Sequence, residues 1–305
     1  MALHLTFASV NQVVRKFGID HVVFCLEGRS WRREKYAQYK AHRDVKLQAA
    51  TEAEVEENEL FWDTYNTLTQ FLRAKTNVSV LHHEKAEADD LIARFIHLHP
   101  EDQHFIISSD SDYLQLVSDN VSQYNGVAKH FITVNGYLDD KDRPVVDKKT
   151  KKPKLLGDPG FILFEKCMRG DAGDNVFSAY PGVRTRSTKE KVGLLEAYED
   201  RHKQGFNWNN LMLQRWVDHN GVEHKVRDDY ERNVMLIDLK AQPQEIKDAI
   251  DAKIGTDLRT EYVPNCGFHW LKFCGKYELV KLSENTEYVR WLNTPYRGIL
   301  AKETA

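Results

Sequence analysis

Three short runs of this 305-residue chain crowd carboxylates together: Glu87-Ala88-Asp89-Asp90, Asp110-Ser111-Asp112 and Asp171-Ala172-Gly173-Asp174. Like charges at such spacing repel and are costly unless a cation neutralises them. Hard divalent cations take oxygen ligands, and Mg²⁺ keeps several waters while using few carboxylates directly. Two such ions about 4 Å apart stabilise both the attacking and the leaving oxygen at a phosphodiester. Metal-assisted phosphodiester hydrolysis is therefore the chemistry these residue types suit. Each run alone also reads as ordinary first-turn, N-cap or turn carboxylates. It is their combination, next to strand-like apolar runs, that points to a site.

A second set of residues suits a polyanion. Arg29, Arg32, Arg33, Lys35, Lys40, Arg43 and Lys46 are interleaved with Trp31, Tyr36 and Tyr39. Cations neutralise phosphates, and aromatic faces stack on unpaired bases. Downstream, the turn Tyr180-Pro181-Gly182-Val183-Arg184-Thr185-Arg186-Ser187-Thr188-Lys189 could grip a phosphate with free backbone N–H groups at a helix start. Other chemistries find no support. His82-His83 lacks a zinc-type partner spacing, and neither a GxSxG nor a P-loop occurs. Cys25, Cys167, Cys266 and Cys274 form no CxxC pair, so a reducing cytoplasm is the expected setting. Net charge is −3 with 41% hydrophobic and 29% charged residues, an ordinary globular balance that argues against disorder. No run approaches the ~18 apolar residues of a membrane span, and the N-terminus lacks a basic signal region, so no membrane partner is expected.

The elements that would carry these residues alternate. Apolar spacing predicts a helix over 3–17, a buried strand over 21–26 closed by Glu27-Gly28, and an amphipathic helix over 60–75 behind an acidic run, Glu52 to Glu59. A strand at 78–81, a helix at 86–99, a strand at 105–109, a short helix at 113–117 and a strand at 130–134 follow. This alternation indicates a parallel α/β sheet, whose ligands bind outside the carboxyl ends of the strands. Asp110 and Asp112 stand at such an end. Residues 139–154 form a Lys-rich insert, read as a loop or small hairpin. Beyond about residue 175 the pattern is helical, with segments near 187–203, 207–218, 228–237 and 243–254.

In this order the motifs resemble those of the phage and bacterial 5′-nucleases: flap endonucleases, the 5′-exonuclease domain of DNA polymerase I, and phage ribonuclease H. The segments that carry the resemblance are Trp31-Arg32-Arg33 through Tyr39-Lys40-Ala41-His42-Arg43, the three acidic runs, and Pro181-Gly182-Val183, between about residues 1 and 240. The resemblance implies an α/β fold: a PIN-like parallel-sheet nuclease domain at 1–178, with a helical arch at 29–58 and the basic insert at 139–154. A mainly helical, helix–hairpin–helix-type DNA-binding region would follow at 179–305. It implies two Mg²⁺ ions, for which Mn²⁺ can substitute. Glu87, Asp89, Asp110 and Asp112 would serve the first. Asp110, Asp112, Asp171 and Asp174 would bear on the second, with Asp90 in the outer shell and Glu27 alongside. Lys40 and Arg43 fall at the catalytic gateway. Arg32, Arg33, Tyr36, Tyr39, Arg169, Gly182, Arg184, Arg186 and Lys189 would bind nucleic acid.

The implied activity is a structure-guided 5′→3′ exonuclease and flap endonuclease acting on DNA, and on RNA primers in RNA–DNA duplex, during replication or repair. Single-strand-binding protein and a sliding clamp are the implied protein partners, and the cytoplasm (the host's, for a phage-encoded chain) the location. Two departures carry expectations of their own. Members begin with a strand ending in a metal-site Asp, ahead of the helix that here starts near Leu3; neither is present in the 305 residues. Glu27 also stands where members usually carry Asp. The strand's slot in the sheet should then be open or otherwise filled, with weaker Mg²⁺ affinity and slower cleavage. The alternative is a catalytically impaired or non-catalytic DNA-junction-binding protein on the same scaffold. A small-molecule phosphohydrolase fits the 29–46 segment poorly.

Overall fold

The computed structural model describes residues 2–189, 191–284 and 287–298. Helix α1 (Ala2–Phe17) leads through Gly18 into β1 (Val23–Leu26). A one-turn helix α2 (Arg32–Lys35), α3 (Ala41–Gln48) and the long α4 (Glu52–Lys75) follow. Helix α4 starts earlier than apolar spacing alone suggests. Thr51 caps it, with the Thr51 N–H donating to Glu54 at 2.8 Å and the Glu54 N–H donating back to the Thr51 hydroxyl at 3.4 Å. The acidic run Glu52–Glu59 is therefore helical. No residue of α3 is buried, and the buried residues of α4 are Thr69, Phe71 and Leu72, so α3 and the first two-thirds of α4 stand in solvent.

Next come β2 (Ser79–His82), α5 (Ala88–Leu98), β3 (His104–Ile107) and a 3₁₀ turn at Ser111–Leu116. A meander of β4 (Val121–Asn125), β5 (His130–Thr133) and β6 (Gly136–Asp139) continues the chain. The sheet is mixed, not purely parallel. β1 pairs with β2 and β3 with β4 in parallel, whereas β4–β5–β6 is antiparallel. β1 and β3 are not joined, so the strands fall into two sheets. The Lys-rich insert is hairpin-like, extending β6 through bridges Leu138–Pro144 and Val146–Pro153.

Helices α6 (Pro159–Arg169), α7 (Leu194–Asp200) and α8 (Phe206–Met212) precede a small hairpin, β7 (Arg215–Val217) and β8 (Glu223–Lys225), whose first strand takes the end of the helix expected near 207–218. Helices α9 (Val226–Ile237), α10 (Gln244–Asp257), α11 (Cys266–Lys276), α12 (Val280–Ser283) and α13 (Glu287–Leu292) complete the described chain.

The cores do not follow a boundary at 178/179. Residues of α6, α7, α8 and α9 form one cluster around Phe164, Met168, Leu194 and Leu211. The last helices return to the first half instead. Trp270, Phe273, Trp291 and Leu292 pack with Phe7, Val10 and Val14 of α1, Phe71 and Leu72 of α4, and Val80 of β2. Ile246, Ile250 and Ile254 of α10 pack on Leu91 and Phe95 of α5. Among the described residues, no helix is long and apolar enough to cross a membrane.

Candidate metal centre

The acidic runs meet where β1, β3 and α5 present their functional ends. Gly28 fixes the first approach. Its N–H donates to the Ala86 carbonyl at 2.9 Å, and the next N–H groups, of Arg29 and Trp31, bond to Glu84 and Lys85. A Cβ on Gly28 would lie 2.1 Å from the His83 carbonyl oxygen, so only glycine lets the chain zip onto 84–86. The basic segment is thereby laid against the start of α5.

Glu87 is the N-cap of α5, and Asp90 accepts the Glu87 N–H at 3.1 Å. Asp90 is fully buried. Arg32 grips it with two bonds of 2.9 Å, and the Trp31 indole N–H and the Gln242 amide donate to it at 3.1 and 3.2 Å. Both its oxygens accept hydrogen bonds, so Asp90 acts as a counter-ion and anchor for Arg32. Arg32, 1% exposed, also bonds Glu87 and the Leu236 carbonyl of α9. Burial opposes its charge, but Asp90 and Asp89 more than offset this and raise its pKa. This corrects the expectation for Arg32: it binds carboxylates inside the protein and offers nothing to a nucleic acid.

Tyr39 is corrected in the same way. It is 2% exposed, and its hydroxyl lies 2.9 Å from Glu87 and 3.0 Å from Asp174, sharing one proton between them. The Lys40 ammonium also spans the two, bonding Glu87 and lying 3.6 Å from Asp174. Arg43 reaches Asp174 at 2.8 Å from the solvent side. Burial works against the Glu87 carboxylate, yet Lys40 and Arg32 hold its pKa below the ordinary value. Asp89 lacks such a partner: Arg32 comes only within 4.0 Å. Burial, reinforced by Asp90 and Glu87 and only partly opposed by Arg32, pushes its pKa up to about 8.

The third acidic run is a closed loop. Asp171 and Val176 exchange two backbone bonds of 2.8 Å, and the Lys40 N–H donates to the Asp174 carbonyl. Gly170 enters the loop at φ 77°, where a Cβ would meet the Val176 carbonyl oxygen at 2.4 Å. Lys166 of α6, which the sequence reading missed, bonds both Asp112 and Asp171. Burial raises the Asp112 pKa despite Lys166. For Asp171, burial is outweighed by Lys166, and its pKa is lowered. Gln123, on the unforeseen β4, is a further missed residue. It is buried, and its amide donates to the Ser108 and Asp110 carbonyls at 2.9 and 2.6 Å, holding the turn after β3.

Carboxylate oxygens therefore gather in two adjoining sets, Glu87–Asp89–Asp90 and Asp112–Asp171–Asp174, each with its members within 4.8 Å of one another. Tyr39 and Lys40 link them. The grouping differs from the expected one. Asp110, exposed, caps the 3₁₀ turn by accepting the Asp112 N–H at 2.9 Å and belongs to neither set. Glu27 accepts the Ala88 N–H at 3.2 Å at the edge of the first set. An all-oxygen donor set, with one member raised to about 8 chiefly by burial, fits a hard divalent cation.

The other expected contacts are placed variously. Arg33 pairs with Asp44 at 2.7 Å, and Tyr36 lies under the Arg232 guanidinium. Arg169 is used internally, donating to Glu165, the Val183 carbonyl and Thr185 at 3.0 Å each, and so braces the 182–186 turn. On that turn Gly182 adopts φ 73°, and Arg184, Arg186 and Lys189 are exposed.

Residues 1–148 match the family model of the 5′-3′ exonuclease N-terminal, resolvase-like domain. The chain is 28% identical to a DNA polymerase I of Chloroflexus aurantiacus over 56% of its own length and 16% of that protein. It is 22% identical to a 5′-3′ exonuclease of Mycoplasmopsis pulmonis over 65% of its length and 59% of that protein. To the ribonuclease H of Enterobacteria phage T4 it is 25% identical, over 81% and 74%. It thus spans only part of the first two relatives. A phage T5 protein co-crystallised with metal ions shares the fold at a TM-score of 0.57 and 20% identity, covering 82% of this chain and 90% of that one. So does a phage T5 flap endonuclease in a pseudo-enzyme-product complex with DNA and metal ions, at 0.55 and 18%, covering 92% and 90%.

Proposed function

We propose that this chain is a Mg²⁺-dependent nuclease acting on 5′ ends and flaps of DNA and on RNA primers in RNA–DNA duplex, a reading supported by the match of residues 1–148 to the 5′-3′ exonuclease N-terminal domain model. The observation that carries the reading is the pair of adjoining carboxylate sets bridged by Tyr39 and Lys40, with the exposed α3 beside them.

Glu87 and Asp89 would hold one ion, and Asp112, Asp171 and Asp174 the other. When bound, two divalent ions supply charge stabilisation for both oxygens exchanged at the phosphorus. The chain's own groups do the rest. Arg32 and Asp90 fix the start of α5, so Glu87 and Asp89 are held rigidly. Tyr39 keeps Glu87 and Asp174 in register. Lys40 and Arg43, the first 15% and the second 54% exposed in its side chain, can turn toward a scissile phosphate and balance its charge. Arg33, Arg184, Arg186 and Lys189 would follow the flanking backbone, and Tyr36 would stack on a base beside it. A place in replication or repair, and contacts with single-strand-binding protein or a sliding clamp, belong to the same reading.

The test is cleavage of a 5′-labelled flap duplex in Mg²⁺, with EDTA and Mn²⁺ arms. Release of the flap that stops in EDTA is expected. Salt-sensitive binding without any cleavage in either metal would instead establish the catalytically impaired junction-binding protein.

A further inference from the structure

Residues 139–154 carry seven basic side chains and four acidic ones. The acidic ones are used within the fold. Asp139 accepts from the Arg143 guanidinium and from the Lys141 N–H, both at 2.8 Å. Asp140 bonds the Tyr124 hydroxyl, and Asp142 pairs with Lys16 of α1 at 2.6 Å. Asp147 accepts the Lys149 and Thr150 N–H groups at 3.0 and 2.7 Å. The lysines at the tip are not used in this way. Lys148, Lys149, Lys151 and Lys152 are exposed, and among the described residues none of them pairs with a carboxylate.

The tip is held in shape. The Asp147 N–H donates to the Lys152 carbonyl and the Lys151 N–H to the Asp147 carbonyl, each at 2.9 Å, with Lys151 at φ 58°. The Lys154 N–H donates to the Val145 carbonyl at 2.8 Å, and its ammonium lies 3.8 Å from the centre of the Tyr137 ring. Four ammonium groups thus stand on a backbone that loses little freedom on binding. Protection of the sheet's edge does not require them, because Pro144 and Pro153 already withhold N–H groups there. Clustered cations without counter-ions of their own attract a polyanion.

Position and composition say which polyanion. Asp158, the N-cap of α6, follows Lys154 by four residues, a link of at most about 14 Å. Helix α6 adds about 16 Å. It ends at Lys166, which bonds Asp112 and Asp171, and at Arg169, which braces the 182–186 turn. The base of the hairpin therefore stands no more than about 30 Å from the carboxylates, less than one turn of duplex, about 34 Å. Residues 145–154 include no aromatic side chain, so unpaired bases find nothing there to stack on. Ammonium groups alone suit the phosphates of a paired backbone.

We propose that the 145–154 hairpin is an additional nucleic-acid contact, whose four tip lysines hold the phosphate backbone of the substrate's uncut duplex regardless of base sequence. Its substrate is that of the nuclease reading, on which this rests; its surface is separate from the carboxylates and from α3.

The probe is a DNA duplex of about three turns, closed by a loop at each end so that it offers no 5′ end. Binding is followed in EDTA by fluorescence anisotropy across KCl concentrations. Changing Lys148, Lys149, Lys151 and Lys152 together to Gln should flatten the slope of log affinity against log salt by about two to four units and weaken binding about tenfold or more. The pair Lys148→Gln and Lys149→Gln, and the pair Lys151→Gln and Lys152→Gln, should each give part of that loss, which keeps the test decisive if the fourfold variant does not fold. The same four positions changed to Arg should bind like the parent. On a cleavable flap duplex in Mg²⁺, the fourfold Gln variant should raise KM with kcat within about twofold of the parent. Absence of duplex binding by the parent, an unchanged slope, or an equal loss in the Arg variant overturns the proposal. So does duplex binding left intact while binding of a Glu-rich peptide is lost, which gives the hairpin to an acidic protein segment. A parent that binds the closed duplex through the hairpin yet cuts no flap removes the nuclease reading instead.

Discussion

Charge balance in the candidate centre is set residue by residue, and so are its expected responses. Asp112 is held by Lys166, yet burial still raises its pKa, so the charged form is costly in the folded protein. Asp112→Asn should lower Mg²⁺-dependent cleavage by about 100-fold or more while leaving DNA affinity within about twofold, because one oxygen donor to a metal is lost and no phosphate contact is. Its melting temperature should equal or exceed that of the parent. A variant cutting at the parent rate would remove Asp112 from the centre. Asp89 gives a pH signature. Its folded-state pKa of about 8 lies above the ordinary carboxylate value, so between pH 4 and 8 the folded state holds a proton that the unfolded state has lost. This contribution disfavours folding increasingly as pH rises through that window and levels off above about 8. Asp89→Asn, which cannot titrate, should therefore melt higher than the parent in EDTA, by more at pH 8 than at pH 5. Thermal scans at the two pH values check the sign.

At the scale of elements, the acidic runs, β1, β2, α1 and α5 were legible in the sequence because apolar period and turn residues agree there. The orientation of the basic segment was not. Trp31-Arg32-Arg33 spans one turn of α2, and nothing local decides which arginine faces inward. The choice is made by the Leu236 carbonyl and by Asp90, both far away in sequence. β4 escaped notice because its buried Gln123 breaks the apolar pattern, and that glutamine is kept by the carbonyls it satisfies. Strand β7 was hidden because residues 207–218 also fit a helical period, and β8 fell between the two helices expected there. Lys166 gave no signal, being one lysine within an amphipathic helix. Helix α3 buries none of its residues, which leaves Arg43 free to be tested as the phosphate contact proposed for it. Arg43→Ala should flatten the slope of log affinity for flap DNA against log salt by about one unit and leave the melting temperature nearly unchanged. An unaltered slope would confine Arg43 to its pairing with Asp174.

Across the whole molecule, the surprise is where the last helices go. Sequence placed them in a separate region, since helical period shows that a helix has an apolar face and not which face it meets. They cover α1 and α4. Trp291, 1% exposed and 5.3 Å from Phe7 between ring centres, is central to that contact. Trp291→Ala should cost about 3–5 kcal/mol in urea unfolding. Trp291→Phe should cost much less, because the indole N–H has no acceptor to lose. Phe7 and Trp291 also lie at nearly opposite ends of the chain, and that separation governs how the protein is made. Synthesis runs from the N-terminus, so α1, β1 and β2 leave the ribosome long before the tryptophans that bury them. Contacts of such sequence separation close slowly, and until they do the nascent chain exposes Phe7, Val10 and Val14. The carboxylate centre likewise waits on later chain, because Arg32 and Asp90 are held by the Leu236 carbonyl and the Gln242 amide.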